Sequence, residues 1–224
     1  ALIAARYVGD KGEVVGIATF VFSKGQSLNF AVSSKSLLNL KKFHTPLSVK
    51  EWTNKRAIEL ADVAAKLYRE GCELFWEKKY EDALGILRRS LIYYPLLQAA
   101  HLVAGHCNYE LGRFTEAIQD YQEAIRLDST DAHANYRLGM GYHDLGKYFE
   151  AIQSYKNAIK YEPSDFYNYL GLIYTLEKLE RYDEVIDLCK TAIQIKPDND
   201  GVRLSLGMAY LALNNREAAW EQYE

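Results

Sequence analysis

The pattern of apolar and polar positions divides the chain into two textures. From Gly12 to Phe22, β-branched and aromatic residues dominate (EVVGIATFVF). Ser23-Lys24-Gly25-Gln26 has turn composition, and Ser27 to Ser33 alternates again. Two such runs around a glycine-containing turn predict a β-hairpin. Ser34 to Lys42, with Leu37, Leu38 and Leu40, predicts a short helix. A lone hairpin is marginal in water, so this piece is expected to pack on something or to be the tail of a larger fold. Pro46 and Ser48 mark a linker over 44–50 that ends at a helix start near Lys50. Residues 51–224 carry helical spacing throughout.

The helical part repeats. Gly71, Gly105 and Gly139 stand 34 residues apart, and Gly207 follows at twice that step. Pro95, Pro163 and Pro197 keep the same period, as do Ala83, Ala117, Ala151 and Ala219, and Tyr80, Phe114, Tyr148 and Tyr182. Several residue types agreeing on one period mark a solenoid.

These residues resemble the tetratricopeptide repeat family. Residues 132–165 show its pattern best: Leu138, Gly139, Tyr142, Gly146, Tyr148, Ala151, Tyr155, Ala158 and Pro163. The resemblance places repeats at 64–97, 98–131, 132–165 and 166–199, with a partial fifth at 200–224. It implies a mainly α architecture, a right-handed superhelix of helix pairs with a concave groove. Small residues let the two helices approach, aromatic residues fill the gaps between repeats, and proline stops the second helix. Two departures stand out: Ile173 occupies the small position of the fourth repeat, with Gly171 two positions early, and Ser129 replaces proline in the second. The partial fifth repeat leaves Ala219, Trp220 and Tyr223 without a capping helix, so the natural chain is expected to continue or to pair with another molecule there.

The N-terminal texture resembles the end of a bacterial trypsin-like serine protease domain over residues 11–42, where a strand pair and a short helix follow the nucleophile. Residues 1–43 would then be the remnant or tail of such a domain. That family's Gly-x-Ser-Gly-Gly-Pro loop would put its serine near residue 3, where Ile3 stands. A triad needs nucleophile, base and orienting carboxylate within hydrogen-bond reach. The chain as written is therefore expected not to be an enzyme.

In the repeat resemblance, the first helix of each pair lines the groove, and its second, fifth, ninth and twelfth positions share a face. This selects Tyr68 and Phe75, His106 and Tyr109, His133, Tyr136, Met140 and His143, and Tyr167, Leu170 and Tyr174, with Arg137 beside them. The surface is aromatic and apolar, which suits an apolar or amphipathic segment of another protein. Many of these aromatics alternatively pack against the next repeat. Chaperone-binding members of the family hold a terminal carboxylate with Lys, Asn and Arg. Here Tyr68, Cys72 and Val103 occupy three of those places, His133 stands for Lys, and only Arg137 matches, so that clamp is not expected.

Composition narrows the rest. With 27 basic and 30 acidic residues the formal net charge is −3, which gives no electrostatic reason to expect nucleic acid or an anionic membrane. Eighteen tyrosines against 8 phenylalanines suit half-buried faces with a polar tip. No segment is long and apolar enough to span a bilayer. Cys72, Cys107 and Cys189 are odd in number and form no CxxC pair, so they read as reduced core thiols. No HExxH or i,i+4 histidine pair occurs, and neither a metal nor a cofactor is expected.

Three functions follow. The leading one is an interaction scaffold without chemistry of its own, partnered by a protein or peptide. The second is the C-terminal part of a protease–repeat fusion whose repeats recruit substrate or partners. The third is self-assembly through the uncapped final helix. The thiols fit a cytoplasmic location as written; a protease fusion would place the chain in the periplasm or outside the cell.

Overall fold

The computed structural model describes residues 16–21, 27–32 and 49–221, with side chains from residue 56 onward. The helix expected over Ser34–Lys42, most of the 44–50 linker and the partial fifth repeat's last residues, 222–224, lie outside the described residues. The chain divides into two compact units, Ala1–Arg56 and Ala57–Glu224. In the first, β1 (Gly16–Val21) and β2 (Ser27–Val32) pair antiparallel, Gly16 opposite Val32 and Val21 opposite Ser27.

The helices are α1 (Val49–Trp76), α2 (Tyr80–Tyr93), α3 (Gln98–Glu110), α4 (Phe114–Leu127), α5 (Ala132–Asp144), α6 (Tyr148–Tyr161), α7 (Phe166–Lys178), α8 (Tyr182–Ile195), α9 (Asp200–Ala212) and α10 (Arg216–Trp220). From α2 onward each helix packs on the next, and the odd-numbered α3, α5 and α7 also touch in turn. Such nearest-neighbour stacking is the architecture the period demands.

Small residues set the approach of each helix pair. Ala83, Ala117 and Ala151 are completely buried, as are Ala124, Ala158 and Ala192. The first three pairs also match a glycine with a large side chain sixteen residues on. A Cβ on Gly71 would sit 2.7 Å from Leu87 Cγ, one on Gly105 would sit 2.5 Å from Tyr121 Cε1, and one on Gly139 would sit 2.8 Å from Tyr155 Cδ1. The fourth repeat inverts the pairing. Ile173 brings the bulk on the first helix, Cys189 is the small register partner on the second, and both are fully buried. Volume is conserved where order is not, which a close-packed core tolerates. The early Gly171 serves the preceding repeat instead: a Cβ there would overlap the Tyr155 ring.

The turn within each pair has its own period. Lys78, Gly112, Gly146, Glu180 and Asn214 all hold positive φ, between 54° and 72°, at steps of 34 residues. Only glycine adopts that conformation without steric cost. The turn between pairs is set by caps. Asp131 accepts from Ala134 N, Asp165 from Tyr167 N and Asn199 from Val202 N, each satisfying an amide that the first helical turn leaves open.

Candidate functional site

The face shared by α3, α5 and α7 forms a cleft of about 250 Å3. Six of the residues selected from the sequence line it: Tyr109, Tyr136, Met140, His143, Leu170 and Tyr174. Asp144, Tyr155 and Gly171 line it too and were not selected. Asp144 directly follows the twelfth-position His143, and Tyr155 reaches the cleft from α6 because the neighbouring glycine leaves its ring edge open. A 34-residue pattern read along one helix face does not register either reach.

The cleft walls are braced between repeats. The Tyr109 hydroxyl donates to Asp144 from the preceding repeat. Thr175 Oγ1 donates to the Gly171 carbonyl at 2.7 Å and lies 2.9 Å from His143 Nδ1. Its hydrogen already committed, Thr175 accepts, so His143 carries its proton on Nδ1. Burial holds His143 below the usual histidine range, and the ring is neutral at pH 7. The Tyr136 and Tyr155 rings meet at 5.8 Å. Tyr174, 44% exposed, stands at the rim.

Phe75, His106, His133 and Arg137 form a second group. The His106 ring lies 6.0 Å from Phe75 and 5.3 Å from His133. His133 Nε2 accepts from Arg137 Nε at 3.3 Å. Burial first, then the Arg137 charge and His133, pushes His106 down to about 3. The same burial and the same arginine hold His133 below its ordinary value. Both rings are neutral, and Arg137 is the cation among them.

The remaining two selected residues stand apart. Tyr68 is half-buried against the Leu87–Leu91 core, and burial beside Cys72 raises its hydroxyl to about 12. Tyr167 is 55% exposed, edge-on to Phe166, with Lys196 Nζ 5.9 Å from its ring. Along α9 the apolar face continues with Leu204, Met208 and Leu211 exposed. The cysteines are free among the described residues, and burial raises Cys107 and Cys189 to about 12, so both stay protonated thiols. Among the described residues no group of three or more His, Cys, Asp or Glu is placed to hold a metal, and no helix is long and apolar enough to cross a membrane.

Comparison with known proteins gives the class. Residues 105–140 and 141–177 match the family model described as TPR repeat, and residues 176–222 match one described as Tetratricopeptide repeat. Together they span more than half of the chain, which belongs to the tetratricopeptide repeat family. A curated relative, Tetratricopeptide repeat-containing protein trd-1 of Caenorhabditis elegans, is 35% identical over 89 residues. That stretch is 39% of this chain and only 12% of the relative.

Among solved structures, MamA from Desulfovibrio magneticus RS-1 aligns with TM-score 0.67 at 20% identity, over 71% of this chain and 91% of its own. YrrB, titled a TPR protein with an unusual peptide-binding site, aligns with TM-score 0.64 at 19% identity, over 70% and 80%. PilF of Pseudomonas aeruginosa aligns with TM-score 0.63 at 16% identity, over 74% and 75%. These likenesses establish the helical solenoid. They lend no support to a hairpin ahead of it, and the protease resemblance of residues 11–42 finds no counterpart in them.

Proposed function

We propose that the chain is a protein-interaction scaffold whose concave groove binds an apolar or amphipathic peptide segment, with no chemistry of its own. One observation carries the reading: on one face, three successive repeats present half-buried aromatic and thioether side chains around an open cleft. Surface-exposed apolar side chains are ordinary singly, whereas a contiguous rimmed patch marks an interaction site. The fold supports the reading as well, since tetratricopeptide repeats bind protein or peptide partners and YrrB is described as holding a peptide-binding site.

The occupant enters as a segment rather than a domain face because the cleft is small, about 250 Å3, and is lined by helices of adjacent repeats. Tyrosine anchors offer large contact area for few rotatable bonds, the usual composition of binding hot spots. The test is selection of phage-displayed random peptides on the protein, followed by affinity measurement on Tyr174→Glu. Tyr174 stands at the rim, and its replacement leaves the core intact. Tyr109 and Tyr136 are poorer probes, because one is bonded to Asp144 and the other packs on Tyr155. Binding of the selected peptides is expected to weaken about 30-fold, the cost of losing one hot-spot aromatic. Unchanged affinity on Tyr174→Glu with an unchanged melting temperature refutes the groove as the site.

A further inference from the structure

We propose that the cleft between α3, α5 and α7 receives a basic side chain of the bound segment, a lysine or an arginine, with Asp144 as its counter-charge and tyrosine rings around it. This rests on the peptide-groove reading above and names the partner's chemistry. The starting point is the charge of the lining. Of the residues that line the cleft, Asp144 alone carries a formal charge; His143 is neutral, and the rest are tyrosines, Met140, Leu170 and Gly171. Asp144 is exposed, so a ligand in the cleft reaches its carboxylate. Among the described residues no lysine, arginine or histidine stands within ion-pair distance of it. Arg137, bonded to His133, and Lys178 line no part of the cleft. The one charge in the lining is therefore negative and has no ion-pair partner.

A second, independent observation concerns the helix. Asp144 is the last residue of α5. The C-terminal end of a helix carries partial negative charge, which favours a cation there and disfavours a carboxylate. The last turn of α5 offers only His143 as a base, and that ring is neutral and turned to Thr175. The carboxylate is nonetheless held in place, because the Tyr109 hydroxyl donates to its Oδ2. Burial, then Asp144, keeps that hydroxyl above its ordinary value, so it remains a donor. Oδ1 accepts no hydrogen bond among the described residues. Burial also raises the Tyr155 hydroxyl, and Tyr136, Asp144 and Tyr109 all push it the same way, with no positive charge opposing them.

A lysine or arginine side chain answers all of these features. Its charged head pairs with Asp144 and offsets the negative end of α5. Aromatic faces attract cations through their ring quadrupole. Tyr136 already has Arg137 over its ring at 6.0 Å, which leaves Tyr109, Tyr155 and Tyr174 for a second cation. Met140 and Leu170 give the methylene stem an apolar wall while the head stays at the polar rim. A chain-terminal amine has no such stem to place against that wall, so the cation belongs to a side chain within the segment. An acidic side chain at the same place would meet Asp144 with like charge.

The experiment selects phage-displayed random peptides on the protein and, in parallel, on Asp144→Lys. Peptides selected on the protein are expected to share a lysine or arginine among apolar residues, and those selected on Asp144→Lys a glutamate or aspartate in its place. A selected peptide is then synthesised with fluorescein on its N-terminus, which blocks the terminal amine, and measured by fluorescence anisotropy. Acetylating its lysine, or replacing its arginine by citrulline, is expected to weaken binding about 5-fold, the worth of an exposed ion pair with one cation–π contact. On Asp144→Asn, which keeps an acceptor for Tyr109, the same change is expected to have no effect. Tyr174→Ala removes a cleft ring without adding charge and reports whether a peptide sits in the groove. Peptides that lose affinity on Tyr174→Ala yet carry no shared basic residue overturn the subsite and leave the groove reading standing. So does an equal loss on acetylation with the protein and with Asp144→Asn. Selected peptides that all bind Tyr174→Ala as tightly as the protein remove the groove reading and the subsite together.

Discussion

Gly171→Ala is expected to destabilise the protein although it replaces a helix-interior glycine by the best helix former. The added Cβ would lie 2.6 Å from Tyr155 Cζ and 3.0 Å from Cδ1, with Cε1 nearer still. Carbon–carbon contacts are comfortable only at about 3.5–4.0 Å, so the ring must retreat by nearly 1 Å. It has little room, since Gly139 faces the same ring edge so closely that a Cβ there would also lie 2.8 Å from it. Overpacking of this kind costs about 1–3 kcal/mol, and the gain in helix propensity returns about 1 kcal/mol. The net loss is about 0–2 kcal/mol. Gly85 is the control: it lies in α2, and a Cβ there meets nothing within 4 Å. Gly85→Ala is expected to stabilise by about 0.5–1 kcal/mol through propensity alone. Urea denaturation of both variants by circular dichroism measures the pair. Stabilisation of similar size by both substitutions refutes the wedge between Gly139, Tyr155 and Gly171. The same displacement shifts Tyr155, which lines the cleft, so Gly171→Ala is also expected to weaken peptide binding.

Other outcomes follow from the turns and the charges. Glu180→Gly is expected to stabilise by about 1 kcal/mol, because a non-glycine residue holds φ of 54° there; a lower melting temperature contradicts this. Arg88 donates two bonds of 2.6 Å to the buried Asp120, which also accepts from Asn108 at 2.8 Å. Removing the carboxylate charge with Asp120→Asn is expected to cost about 2 kcal/mol in denaturation, less than a fully buried pair because Arg88 is partly exposed. Burial raises the Asp120 carboxyl, but His101, Arg88 and Asn108 outweigh it and hold it below the ordinary value. That stabilisation is present above the unfolded value of about 3.9 and is lost as pH falls through the folded one. His101 is shifted the other way, raised by Asp120 against the effect of burial and with help from the Pro95 carbonyl. Its contribution is complete below about pH 6.5 and is lost as pH climbs through the higher folded value, a decline that His101→Ala abolishes in pH-dependent melting.

The solenoid was legible because its constraints are local and repeat. Glycine, alanine, an aromatic and proline recur at 34 residues because each repeat solves the same packing problem. The phase became harder to read where a different solution serves. Ile173 with Cys189 fills the same volume as a glycine with a tyrosine, yet in letters it reads as a defect. Of the five left-handed turn positions, only Gly112 and Gly146 declare themselves, since Lys78, Glu180 and Asn214 carry the same backbone without the residue that signals it. The cleft was half legible. Residues facing outward along one helix, such as Tyr136 and Met140, follow from periodicity. Tyr155, coming from the second helix, and the buried His106 Nε2 and Tyr121 hydroxyl, neither with a hydrogen-bond partner among the described residues, depend on which side chains meet across repeats, and no spacing within a chain encodes that. The charge of Arg137 was visible, but the absence of a carboxylate within ion-pair distance of it among the described residues was not.

The most direct test of the groove is photo-crosslinking of a selected apolar peptide carrying a benzophenone, read out by mass spectrometry. Crosslinks are expected on the face of α5 and α7 that holds Met140, Leu170 and Tyr174, with loss of the product on Tyr174→Glu. Crosslinks gathered instead around exposed Phe149 or Trp76, which line no part of the cleft, would contradict the assignment of function to the groove.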